Sequence, residues 1–310
     1  SRMAEVLNRV IEKAFRGSAP AQINVPRDYW TQVIDIELPP IVRFERQGGG
    51  KEAIENAAKL LSKAKFPVIL SGAGVVLGGA IDECKKLAEK LDAPVCNGYQ
   101  HNDSFPGSHP LAVGPLGYNG SKAAMELISK ADVVLALGTR LNPFSTLPGY
   151  GIDYWPKKAT IIQVDMNPDR IGLTKKVSVG ICGDAKQVAQ QILDKLSSDA
   201  GNTGREERKN LIHKTKSAWL QTLSGLDHEE DDPGTVWNKE ARERDKDRMS
   251  PRQAWRAIQD ALPQDAIISS DIGNNCAIGN AYPTFEKPRK YLAPGLFGPC
   301  GYGFPAILGA

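Results

Sequence analysis

Between Lys51 and Leu196 the chain switches repeatedly between helical and strand periodicity, and that alternation limits the possible folds more than any other feature. Ile54, Ala57, Ala58 and Leu61 recur at helical spacing, Pro67-Val-Ile-Leu70 is an unbroken apolar run, and Ser71 to Gly79 reads as a glycine-rich turn. Ile81, Cys84, Leu87 and Leu91 mark a second helix face ahead of a strand from Pro94 to Cys96. A long loop follows, then a helix from Ser121 to Lys130, strands at Val133–Leu137, Thr160–Val164 and Val177–Ile181, and a helix from Asp184 to Leu196. Short continuous apolar strands are buried on both faces, so the amphipathic helices between them must cover a parallel sheet from either side. The prediction is an α/β fold with a doubly wound parallel-sheet central domain over residues 51–198, whose ligands sit at the carboxyl ends of the strands.

The flanks read differently. Met3, Val6, Leu7, Val10, Ile11 and Ala14 form an amphipathic helix already in progress, ended by Gly17, and Ala21 to Val25 reads as a strand before Pro26. Residues 31–50, with Pro39, Pro40 and Gly48-Gly-Gly50, have linker composition. Residues 199–249 are dense in charge, notably Glu229 to Asp232 and Lys239 to Arg248, and read as a solvated linker with helical order only around Leu211, Ala218 and Leu220. A new unit opens at Ser250-Pro251, a serine cap with proline in the first turn, and Ala254, Ile258 and Ala261 or Leu262 supply its face. A strand from Ala266 to Ser270 follows. Because the chain opens in mid-helix and stops at Ala310 inside an uncapped one that starts near Pro305, it is expected to be a piece of a longer protein.

Composition narrows the chemistry. A net charge of +3 over 310 residues, with no basic stripe interleaved with aromatics, gives no footprint for nucleic acid. Cys84, Cys96, Cys182, Cys276 and Cys300 are odd in number, lack a C-x-x-C pair and fit reduced thiols. With no apolar run near the ~20 residues of a membrane span and no signal-peptide order, the expectation is a soluble cytoplasmic protein.

Three stretches could carry function. Gly72, Gly74 and Gly78 lie between a strand and a helix, where they serve either a phosphate cradle or simple close packing. Their spacing is not G-x-G-x-x-G, and Asp92 precedes the next strand instead of ending it, so the ribose-binding acid of a dinucleotide site is misplaced. His101 and His109 share a polar loop with Asp103 but make no usual metal set, and no metal ligand is assigned. Asp271-Ile-Gly-Asn-Asn-Cys276 leaves a strand and enters a helix, so Asn274 and Asn275 either donate to an anion or cap the helix. The terminal stretch, with Gly295, Gly298, Gly301, Gly303 and Gly309 among apolar residues, is cleared of side chains for a close backbone approach.

The order of these parts resembles thiamine diphosphate-dependent enzymes of the acetolactate synthase superfamily. Ala19 to Asp28 is similar to the closing strand of a pyrimidine-binding domain, Pro67 to Gly74, His109 to Gly117 and Ala131 to Arg140 to the central domain, and Ser250 to Ala310 to the start of a diphosphate-binding domain. The resemblance implies domains at 1–30, 51–198 and 250–310 joined by linkers at 31–50 and 199–249. Pro20 to Asp28 and Gly298 to Pro305 are nearest to members that convert sulfoacetaldehyde and phosphate to acetyl phosphate and sulfite. A carboligase or an oxalyl-coenzyme A decarboxylase on the same scaffold is the alternative activity, and a non-catalytic adenine-nucleotide module the alternative of another class.

Carried over by position, the resemblance implies thiamine diphosphate and Mg2+ as cofactors, with Gly273, Asn274 and Asn275 at the diphosphate and Gly298 and Cys300 beside the aminopyrimidine. Cys300 replaces the methionine usual in acetolactate synthases. Gly74, Arg140 and Asp165 match positions that contact an adenine cofactor in some relatives. The activating glutamate is expected upstream of Ser1 and the metal motif beyond Ala310, so this piece alone should not catalyse. At least a homodimer, or a homotetramer, is implied.

Overall fold

The computed structural model describes residues 2–17, 19–37, 45–225, 248–295 and 297–310. Residues 1–46 and 47–310 form two separate units.

In the first unit the predicted helix is present as α1, Met3–Gly17, and it buries none of its side chains. The strand expected over Ala21 to Val25 is absent: residues 19–26 have no regular structure before a short 3-10 turn, Arg27–Thr31. A strand needs a neighbour for its ladder of N–H and C=O groups, and the described residues of this unit contain none.

The second unit is built on six parallel strands. In chain order they run α2 (Lys51–Lys63), β1 (Pro67–Ser71), α3 (Ala73–Gly78), α4 (Ile81–Leu91), β2 (Val95–Asn97), β3 (Ala112–Pro115), α5 (Lys122–Ile128), β4 (Val133–Leu137), β5 (Thr160–Asp165), β6 (Val179–Cys182) and α6 (Ala185–Lys195). The sheet order is β3-β2-β1-β4-β5-β6, and every neighbouring pair is parallel. This is the doubly wound arrangement, with the strand order reversing between β1 and β4. Both of those strands are buried at all five positions, as their unbroken apolar sequences require. Two details depart from the sequence reading. The glycine-rich turn after β1 contains the short helix α3, and β3 lies inside the stretch read as loop, pairing in parallel with β2.

The charged stretch after the sheet is more ordered than its composition implies. Helix α7, Arg205–Gly225, runs 21 residues and buries Arg208, Ile212, Thr215, Trp219 and Leu223. Ala218 and Leu220, read as its apolar face, are exposed. The face is set instead by Arg208, whose guanidinium donates to the carbonyls of Lys65, Leu91, Asp92, Gly201 and Thr203. These carbonyls end α4 and the loops around it, so a charge counted as solvated is a buried clasp. The acidic run Glu229 to Asp232 lies outside the described residues, as does Lys239 to Arg248 except for Arg248.

The last part comprises α8 (Pro251–Ala261), β7 (Ile268–Ser269), α9 (Asn274–Gly279), β8 (Tyr291–Leu292) and α10 (Gly303–Leu308), with β7 and β8 paired in parallel. Ser250 and Gln253 make a reciprocal capping box, so the predicted helix start is met in full. The buried face is different: Trp255 is the side chain α8 buries, whereas Ile258 is 44% exposed. Trp255 lies against Gly279, donates its indole N–H to the Asn275 carbonyl at 2.8 Å, and joins Ala123, Trp219, Leu223 and Tyr282 in one apolar cluster. Among the described residues no helix is long and apolar enough to cross a membrane.

Candidate functional site

Asp271, two residues beyond the end of β7, organises the site. Its carboxylate accepts backbone N–H bonds from Gly301 at 3.0 Å, Tyr302 at 3.1 Å and Ile272 at 3.3 Å. Burial raises its pKa, but backbone donation, led by Tyr302 and Gly301, outweighs that and holds it below the ordinary carboxylate range. The result is a clasp across thirty residues of sequence that lays the glycine-rich segment 298–303 against 271–275. Two glycines make the approach possible. A Cβ on Gly303 would stand 3.1 Å from the Asp271 nitrogen, and Gly298, with φ of 62°, would put one 3.3 Å from the Ile272 side chain.

The five residues expected to bind a cofactor are thereby brought together. Gly273, Asn274 and Asn275 form one exposed edge, and Gly298 and Cys300 lie on the facing segment. Neither asparagine caps α9: the cap position is Gly273, at φ 126°, and no side chain bonds the first turn from there. The two also differ. Asn275 spends its amide on Ser270 Oγ at 3.3 Å and the Asp271 carbonyl at 3.2 Å, whereas the exposed Asn274 carboxamide makes no bond among the described residues. Cys300 is exposed, so it fills no core within this chain, while Cys276 is buried with its thiol donating to the Gly273 carbonyl at 3.1 Å. Asp271 went unassigned in the sequence because its partners stand thirty positions away; its place between a strand and a glycine was the only local signal.

This donor set fits an anionic group. The first-turn N–H groups of Asn274 and Asn275 have no carbonyl within α9 to receive them, and the Asn274 amide adds a side-chain donor. The backbone at Gly298 and Gly301, both at positive φ, is bare of side chains, and a Cβ on Gly301 would meet open space. Among the described residues no three His, Cys, Asp or Glu side chains converge.

The other candidate region is the point where the strand order reverses. There the glycines pack backbone on backbone. Gly72 N donates to the Leu137 carbonyl at 3.1 Å and Gly74 N to the Gly138 carbonyl at 2.8 Å, and a Cβ on Gly74 would lie 2.6 Å from the Gly138 Cα. The donors a phosphate cradle at Gly72 and Gly74 would need are already spent, so the packing reading accounts for this turn. Asp92 is a helix cap in left-handed conformation that pairs with Arg205, not a ribose ligand. His101 and Arg140 lie at the same end of the sheet. Burial, then the Arg140 charge, lowers the His101 pKa to about 4. Burial first, then Arg170, lowers that of Arg140, against the opposing charge of Asp165. His109 sits apart, with Nε2 3.2 Å from Glu89 Oε1 and Nδ1 accepting from Leu111 N.

Residues 54–192 match the family model described as thiamine pyrophosphate enzyme, central domain. Over its full 310 residues the chain is 78% identical to a probable sulfoacetaldehyde acetyltransferase of Rhizobium meliloti (strain 1021), covering 52% of that protein. It is 77% identical to the sulfoacetaldehyde acetyltransferase of Roseovarius nubinhibens, covering 51% of it. Against a probable acetolactate synthase large subunit of Methanocaldococcus jannaschii the identity is 32%, over 94% of this chain and 48% of that one. The chain spans about half the length of the curated relatives it matches.

Proposed function

Since residues 54–192 match the thiamine pyrophosphate enzyme central-domain model, we propose that the chain is part of an acyltransferase converting sulfoacetaldehyde and phosphate to acetyl phosphate and sulfite. The observation that carries this reading is the step in identity. Relatives named for sulfoacetaldehyde acetyl transfer are 46–78% identical across the whole chain, and those named acetolactate synthase fall to 29–32%.

In this reaction the carbon–sulfur bond breaks and sulfite leaves with the bonding pair. The aldehyde C–H bond breaks with loss of its proton, which brings that carbon to the acyl level, its neighbour takes up a proton and becomes methyl, and phosphate oxygen forms the new acyl bond. No outside oxidant or reductant is needed. Thiamine diphosphate, when bound, supplies the nucleophilic carbon and electron sink such a change requires. This chain's residues would hold and orient it: the main-chain N–H groups of Gly273, Asn274 and Asn275 and the Asn274 amide would donate to the diphosphate, and the bare backbone from Gly298 to Gly301, with the Cys300 carbonyl, would face the aminopyrimidine. Asp271 fixes the distance between those two edges. Mg2+ would serve as the diphosphate's counter-ion.

The proposed organisation is the end of a pyrimidine-binding domain at 1–30, a linker at 31–50, the central domain at 51–198, a connecting stretch at 199–249 and the start of a diphosphate-binding domain at 250–310. The exposed cofactor edge favours a second subunit completing the site, hence at least a homodimer, in the cytoplasm. The adenine-nucleotide alternative loses support because the Gly72 and Gly74 N–H groups are internally paired. Calorimetric titration of the full-length protein with thiamine diphosphate plus magnesium, and separately with adenine nucleotides, tests the reading. Binding of the nucleotide alone would overturn it.

A further inference from the structure

Asn280 follows α9 directly and is wholly buried, and its carboxamide and carbonyl bond to the loops of the parallel sheet while its N–H closes α9 on the Ala277 carbonyl. Its Oδ1 accepts from Gln100 N at 3.2 Å, and its Nδ2 donates to the carbonyls of Leu116 and Tyr118, both at 3.3 Å. Its own carbonyl accepts from Asn102 Nδ2 at 2.9 Å, and the same amide reaches the Pro283 carbonyl at 2.8 Å. Thus one carboxamide ties the end of α9 to the segments after β2 and β3.

Two further observations show that this junction does more than fill space. Gln100 holds φ of 61°, a conformation that costs a non-glycine residue and persists only where its surroundings dictate it; the Asn280 bond to its N–H is one such constraint. Beside it, buried Asp103 accepts from Lys290 N at 3.0 Å and Tyr291 N at 3.3 Å, at the start of β8. Strand β8 pairs with β7, which ends one residue before Ser270 and two before Asp271. The loop after β2 therefore grips both structures that carry the candidate cofactor edge: α9 through Asn280 and the β7–β8 pair through Asp103.

We propose that Asn280 is a positioning residue for the cofactor site, fixing α9 and its leading residues Gly273–Asn275 against the parallel-sheet domain. The proposal rests on the cofactor reading above. It touches neither substrate nor cofactor; it acts through a six-residue helix too short to hold its own direction. Removing the carboxamide leaves the Leu116 and Tyr118 carbonyls and the Gln100 N–H unpaired in a buried place, and the helix is free to shift.

The test uses the full-length enzyme as wild type, Asn280→Ala and Asn280→Ser, the serine retaining one short polar group. Three quantities are read: thiamine diphosphate affinity by calorimetry, turnover at saturating cofactor, and backbone hydrogen exchange of residues 273–279 without cofactor. The alanine variant is expected to bind thiamine diphosphate about tenfold or more weakly, from the loss of buried hydrogen bonds. Its turnover is expected to drop by up to about a hundredfold where geometry slips. Exchange over 273–279 should quicken, and serine should recover part of each effect. Lowered thermal stability with unchanged affinity, turnover and exchange, measured below the unfolding range, would overturn the proposal. If wild type binds no thiamine diphosphate, the functional reading falls on its own; unchanged exchange in Asn280→Ala would then also remove the positioning role, and quickened exchange would retain it for whatever ligand the edge takes.

Discussion

Arg208→Met removes a buried cation that donates five hydrogen bonds to main-chain carbonyls, at distances from 2.6 to 2.9 Å. The residue is 1% exposed, so water cannot replace those donors without opening the junction where α7 meets the end of α4. An orphaned buried carbonyl costs about 1–3 kcal/mol. Five such penalties would approach the whole stability of a domain, about 5–15 kcal/mol, so partial relaxation must intervene. With about two of the five carbonyls left without a donor after relaxation, the expected loss is about 3–5 kcal/mol. Methionine keeps much of the volume, so the loss reports on polar bonds more than on a cavity. With a urea dependence of about 1–3 kcal/mol per molar, the unfolding midpoint should fall by more than about 1 M. Circular dichroism and tryptophan fluorescence would follow the transition, with Arg208→Lys expected to lie between the two. A midpoint within the ~0.5 kcal/mol scatter of an ordinary surface change would refute the account of Arg208 as a clasp.

His101 is held neutral by burial and by Arg140, with its pKa lowered to about 4 from 6.5. As pH falls through 6.5 the unfolded chain takes up this proton first, so stability is lost between pH 6.5 and about 4, by at most about 3 kcal/mol; His101→Gln should flatten that part of a pH-resolved unfolding series, and an unchanged slope would contradict it. Gly138→Ala would place a Cβ 2.7 Å from the Gly74 Cα at a φ of 61°, so thermal unfolding should show a loss above ~2 kcal/mol. Because Cys300 is exposed, Cys300→Ala should leave the melting temperature of the full-length enzyme almost unchanged while thiamine diphosphate affinity or turnover falls. Unchanged affinity and turnover would remove the thiol from the site and leave the main-chain carbonyl, which alanine keeps, as the residue's contribution. Asp271→Asn keeps the size but loses the charge and one of the two acceptor oxygens, so the Gly301 and Tyr302 N–H groups can no longer each meet an oxygen, and it should weaken cofactor binding at least several-fold in calorimetry.

What could be read from the sequence follows the physics of each element. Strand β4 was read with its exact bounds and β1 within a residue because an unbroken apolar run bounded by polar or small residues has few other uses. Ala112–Pro115 escaped because it is four residues long and contains a glycine and a proline, which weigh against a strand even where a sheet edge accepts them. Helix α7 was underestimated because Arg208 and Thr215 occupy its inner face, and a polar residue at a core position breaks the pattern that marks amphipathicity. In α8 the single Trp255 outweighs the smaller apolar residues on the expected face. At the site, the glycines and asparagines were visible as a local concentration of special residues. Asp271 and Asn280 were not, since their roles consist of bonds to residues between 30 and about 180 positions away.

The most direct test of the functional account is sulfite release. Full-length protein, supplied with thiamine diphosphate, magnesium and phosphate, should convert sulfoacetaldehyde to equal amounts of sulfite and acetyl phosphate, with neither formed when cofactor or phosphate is withheld. Acetolactate formation from pyruvate with no sulfite from sulfoacetaldehyde would contradict it.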